Sequence, residues 1–145
     1  MITNERQYRI TKAQLKRFED DLAAHDARGP SANVDPLIHA GMRGALASEV
    51  EELRAQLQRY ERLRDGAITG RELDSLRELP TALIEARIAA NVTQRTLADR
   101  LGIAEQQVQR WEATGYAGVG LERLQDVADA LDTRIRENVT YSSAA

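Results

Sequence analysis

The sequence predicts an all-α protein in two parts: an N-terminal helical unit of coiled-coil character, followed by a compact set of short helices. Three observations carry this expectation. Ala, Leu, Arg and Glu are abundant, only 4% of residues are aromatic, and the β-branched and aromatic enrichment of a sheet protein is missing. Apolar residues recur at three-to-four spacing along most of the chain. Helix-breaking pairs, Gly29-Pro30, Leu79-Pro80 and Asp65-Gly66, divide these periodic stretches from one another.

The first helix is expected to enter at Thr11, with Gln14 completing a capping box and Ile10 stapled against Leu15. Its buried face is Leu15, Phe18 and Leu22, and Gly29-Pro30-Ser31 ends it. Asp35-Pro36 suits the cap and first position of a second helix, which Gly41 and Gly44 are expected to interrupt early. From Ala45 to Arg64, Leu46, Val50, Leu53, Leu57 and Tyr60 recur in steps of four and three, a heptad stripe. That stripe fits two uses equally well, packing on the first helix and pairing with a second copy. Asp65-Gly66 closes the helix, and the stretch to Gly70 reads as a connector. The expected domains are therefore 1–70, for dimerisation or partner binding, and 71–145. The capping-box spacing of Ser75 and Glu78 predicts a short helical turn before Pro80.

Four short helices are expected after Pro80. Leu83, Ile84 and Ile88 mark the first, and Thr93 caps the second, which turns Leu97 and Leu101 inward around a small Ala98. Gly102 supplies a positive φ to end it. Val108 and Trp111 are expected to face inward from the third, and Leu121, Leu124, Val127, Ala128 and Leu131 from the fourth. Counted from Gln94, the alanine is fifth, the glycine ninth, and apolar residues stand fourth, eighth, tenth, fifteenth and eighteenth. An alanine there permits close helix crossing and a glycine the tight turn, so that the later helix is held at the angle that enters a major groove.

In these residues the stretch from Leu79 to Arg134 resembles the XRE family, the Cro and phage-repressor-like helix-turn-helix proteins. The resemblance implies a lambda-repressor-like domain that binds double-stranded operator DNA. It places a phosphate contact at Gln94, beside Thr93 and Arg95 at the start of the second helix. Base reading is implied for Glu105, Gln106 and Arg110 on the third helix, with Gln107 and Gln109 at its edges. Helical geometry selects a similar set, because residues 105, 106, 109 and 110 point away when Val108 and Trp111 point inward. Arg110 suits guanine and Gln106 adenine, while Glu105 repels phosphate unless it accepts from a cytosine amino group. In the glycine-rich segment after the third helix, Tyr116 is a further candidate donor to phosphate. From Ile135 to Tyr141 the chain alternates with period two, the pattern of a short C-terminal strand that must pair with its copy or fray.

The net charge of −3 is unusual for a nucleic-acid binder, but the stretch from Arg87 to Arg110 is locally basic. No cysteine is present, so neither disulfides nor thiolate metal sites are expected. His25 and His39 lack a third ligand at metal spacing, and no nucleophile–base motif or phosphate-cradling loop occurs, so neither an enzyme nor a cofactor is expected. With no signal layout and no apolar run of roughly 18 residues, the protein is expected to be cytoplasmic. A helical unit ahead of the helix-turn-helix is similar to the layout of HigA-type antitoxins, which implies a repressor of its own operon with a small toxin as partner. A free-standing or phage-derived repressor fits the same residues. So does, from a different class, a helical interaction protein whose helix-turn-helix is only a scaffold. A homodimer is expected in the repressor readings, since two half-sites must be addressed.

Overall fold

The computed structural model describes residues 1–142. Six α-helices occur among them, and the chain divides into two compact units, Met1–Thr69 and Gly70 onward.

The first unit is a hairpin of two long helices, α1 (Glu5–Arg28) and α2 (Pro36–Arg64). Helix α1 starts six residues before the expected Thr11, which is buried inside it. Asn4 is the cap: its side chain accepts from the Gln7 amide, and the Gln7 side chain reaches back to the Thr3 amide at 2.8 Å and the Thr3 hydroxyl at 2.9 Å. The earlier start wins because it lays Tyr8 against α2, where its ring stacks on Tyr60 at 5.3 Å and its hydroxyl donates to Glu61. That hydrogen bond raises the Tyr8 pKa above the usual phenol value. Ile10, expected as a staple, is exposed. At the other end Gly29 closes α1 at φ 63°, donating its amide to the His25 carbonyl.

Helix α2 begins as expected, with Asp35 accepting from the Leu37 amide and Pro36 at the first position. Gly41 and Gly44 do not interrupt it; the helix runs unbroken for 29 residues. Each glycine costs about 1 kcal/mol of helix propensity, which packing along the rest of α2 offsets. Val50, Leu53, Leu57, Tyr60 and Leu63 are buried on α1, so this part of the heptad stripe is consumed within the chain. Around it, Arg54 pairs with Glu19, Arg43 forks onto Asp26, and Arg64 lies over the Tyr8 and Tyr60 rings. Hydrogen bonding from Arg43 holds the Asp26 carboxyl below its ordinary pKa.

In the second unit a single 3-10 turn, Leu76–Glu78, capped by Ser75, leads into α3 (Leu79–Ala89). Helices α4 (Gln94–Leu101), α5 (Glu105–Ala113) and α6 (Leu121–Ala130) follow. Helix α4 packs on α5 and α6, and α3 packs on α6. Their shared core is Leu83, Ile84, Ile88, Leu97, Ala98, Val108, Val127, Ala128 and Leu131, all buried. Leu121 is instead exposed at the open first turn of α6. The expected C-terminal strand is not formed: residues 133–142 have no regular structure, since a lone strand finds no ladder partner among the described residues. The last three residues of the chain lie outside the described residues.

The turn from α4 to α5 depends on Gly102 at φ 65°, whose amide and that of Ile103 close on the carbonyls of Asp99 and Ala98. A Cβ there meets nothing within 4 Å, so the cost of Gly102→Ala is conformational alone. Urea unfolding should show a loss of about 1–2 kcal/mol; an unchanged midpoint would mean that the turn relaxes out of the left-handed region.

Candidate nucleic-acid interface

Helix α4 opens on Thr93, whose hydroxyl accepts from the Thr96 amide at 3.0 Å and lies 2.9 Å from the Thr96 hydroxyl. The first-turn amides therefore cluster at an exposed helix start, where partial positive charge favours an anion. Arg95 beside them is exposed and has no ion-pair partner among the described residues. Thr96, also exposed, was not anticipated; a hydroxyl three residues after a capping threonine was the available signal.

Val108 is wholly buried, and this fixes which face of α5 is outward. Gln106, Gln109 and Arg110 are exposed, and Glu105 and Gln107 are half-exposed at the edges. Gln106 and Arg110, four apart, share one row. In the adjacent row the Gln109 amide donates to Glu105 at 3.3 Å, so the Glu105 carboxylate already has a donor close by. Arg110 has no ion-pair partner among the described residues and keeps its guanidinium fork available. Helix α5 has no side-chain cap at Ala104.

Two of the expected side chains lie elsewhere. Gln94 is buried, and its amide nitrogen donates to the Glu112 carboxylate at 2.7 Å. Its side chain is thus turned into the core, and only its backbone N–H remains at the helix start. Tyr116 is buried too, at φ 58°, with its ring 5.8 Å from Trp111. Burial pushes the Tyr116 hydroxyl well above the usual phenol pKa, and the nearby Glu112 charge adds to the shift. A donor to phosphate has to reach the surface, and this one does not. The reversal at Gly115 and Tyr116 folds the ring inward, closed by the Tyr116 amide on the Trp111 carbonyl at 2.6 Å.

Gln94 belongs to a buried polar cluster that was not anticipated. Arg87 of α3 forks onto Glu112 of α5 at 2.6 and 2.7 Å and donates to the Val92 carbonyl at 2.8 Å. Both charged side chains are almost completely buried, at 4% and 1% exposure. Arg87 therefore contributes nothing to an external basic face; the exposed arginines of the stretch are Arg95, Arg100 and Arg110, against Asp99 and Glu105. The available signal was helical spacing: Glu112 stands four after Val108 and so shares its inward face, while Trp111 is only half-buried.

A short helix held across another by an αL glycine, with its outward face lined by Gln and Arg, defines the helix-turn-helix class. Comparison with known families agrees: residues 83–138 match the helix-turn-helix family model, of XRE type. The matching family is one of DNA-binding regulatory domains. No curated protein and no solved structure matches the chain. Among the described residues no helix is long and apolar enough to cross a membrane, and no group of three His, Cys, Asp or Glu side chains is placed to hold a metal.

Proposed function

We propose that the chain is a sequence-specific repressor that binds its operator as a homodimer, with the first unit serving association and the second reading DNA. The observation that carries this is the exposed Gln106–Arg110 row on α5, in a domain whose family binds DNA. Arg110 reads guanine and Gln106 adenine in the major groove, while Arg95, Thr93 and the first amides of α4 meet phosphate. The partner is double-stranded DNA with half-sites about 34–36 Å apart, or a multiple of that turn. A helical unit ahead of the reading domain supports the finer reading of a HigA-like antitoxin, whose toxin meets the first unit. Co-expression with a toxin-like reading frame adjoining the gene tests that point: rescue by the full chain but not by residues from Arg71 onward supports it, and rescue by both rejects it.

Titration against the upstream promoter sequence and a scrambled duplex at two salt concentrations tests the DNA reading. Arg110→Ala and Gln106→Ala should each lose about 1–3 kcal/mol on the operator and relax one base position per half-site. Arg95→Ala should weaken both duplexes alike and flatten the salt dependence by about one unit. Glu105→Gln should tighten binding to every sequence if the carboxylate only repels phosphate, and relax one position if it accepts from cytosine. Uniformly small effects at Gln106 and Arg110 would place α5 outside the groove.

A further inference from the structure

The first half of α2 carries an apolar face that nothing in its unit covers. Leu37, Ile38 and Met42 are 80%, 59% and 54% exposed, and Val34, just before the helix, adds to them. From Pro36 to Ser48 the only formally charged side chain is Arg43, which pairs with Asp26 on the α1 side. Beyond Ser48 the helix turns heavily charged, with Glu49, Glu51, Glu52 and Arg54. The same stretch contains Gly41 and Gly44, and a Cβ at either meets nothing within 4 Å. Two helix-weakening glycines are therefore unexplained by any packing inside the unit.

The large and small residues alternate in a way that suits one occupant. Leu37, Gly41, Gly44, Ala45 and Ser48 lie on one face of the helix, with Ile38 at its edge. When a second α2 is laid antiparallel across this face with a two-fold axis at Gly41, every large residue meets a small one. Leu37 falls over Gly44 and Ile38 over Ala45, while Met42 of each copy closes the rim. An isologous contact demands this self-complementarity, knob and recess in one patch, whereas a foreign partner does not require the recesses to match the patch's own knobs. The face is also uncharged, so two copies bring no like charges together at its centre. Two patches on the order of 400 Å² each, with their flanking atoms, approach the roughly 1,000 Å² of a stable interface.

We propose that the chain dimerises through the first half of α2, by an antiparallel crossing of two copies at Gly41. This rests on the dimeric repressor reading and locates its seam, away from the Leu53 stripe and from the C-terminal residues. The native chain has no cysteine, so single cysteines report the axis cleanly. In the full-length protein, Gly41→Cys should cross-link to a covalent dimer on mild oxidation, whereas Ala55→Cys, exposed on a similar face fourteen residues further along, should not. Gly41→Leu should weaken the dimer by about tenfold or more in sedimentation equilibrium. The same change should leave the helical circular dichroism signal of the monomer intact, since the added side chain has open space and better helix propensity. A native chain that stays monomeric at tens of micromolar overturns both this seam and the dimer reading. A native dimer that Gly41→Leu leaves undisturbed overturns the seam alone.

Discussion

Glu112→Ala is expected to cost the second unit about 3–5 kcal/mol, enough to unfold a domain of this size at ordinary temperatures. The carboxylate is 1% exposed and accepts both arms of Arg87 as well as the Gln94 amide. Its removal strands a buried guanidinium and a buried amide at once, and an uncompensated buried charge is far costlier than the pair was worth. Replacing both partners, Arg87→Met with Glu112→Leu, should recover most of the loss, since matched apolar groups leave nothing unpaired. Urea unfolding of the two variants beside the native chain decides it. If the single variant unfolds at the native midpoint, the cluster does not hold α3, α4 and α5 together. DNA binding should fall with the folded fraction in the single variant and return in the double one, although both residues are buried.

Leu53→Asp should melt the first unit and leave the second folded. Leu53 is buried between α1 and α2, so the change loses about 2–5 kcal/mol of packing and places a carboxylate in an apolar contact. A two-helix hairpin has little stability to absorb this. Hydrogen exchange should show amides of α1 and α2 losing protection while those of α3 to α6 keep theirs. Were the stripe instead a seam between copies, the variant would stay protected in both units and merely dissociate. That pattern would contradict the packing of α2 on α1.

What the sequence determined by itself is everything whose cause lies within a turn or two of the chain. Thr93, Gly102, Asp35-Pro36 and Gly29 act on their own neighbours, and the helices start or stop at each of them. Leu97, Ala98, Val108 and Val127 are buried because helical spacing alone puts them on inward faces, and the match over residues 83–138 rests on that same pattern. The outward Gln106–Arg110 row follows as its complement.

Only the tertiary structure decided which of two local solutions prevailed, and which groups separated in sequence would meet. Both Asn4 and Thr11 can cap α1; contact between Tyr8 and Tyr60, 52 residues apart, favours Asn4. The heptad stripe fits any apolar partner, and α1 was the one within reach. Gln94 carries the same polar amide at a surface or in a core, and a carboxylate placed eighteen residues later drew it inward. Tyr116 lost its expected exposure to a backbone reversal that periodicity does not register. For Tyr8, the stripe and Gln94 the deciding term is packing or pairing with residues distant in the chain, about which local spacing carries no information; for Tyr116 it is a positive-φ reversal that hydrophobic spacing does not encode.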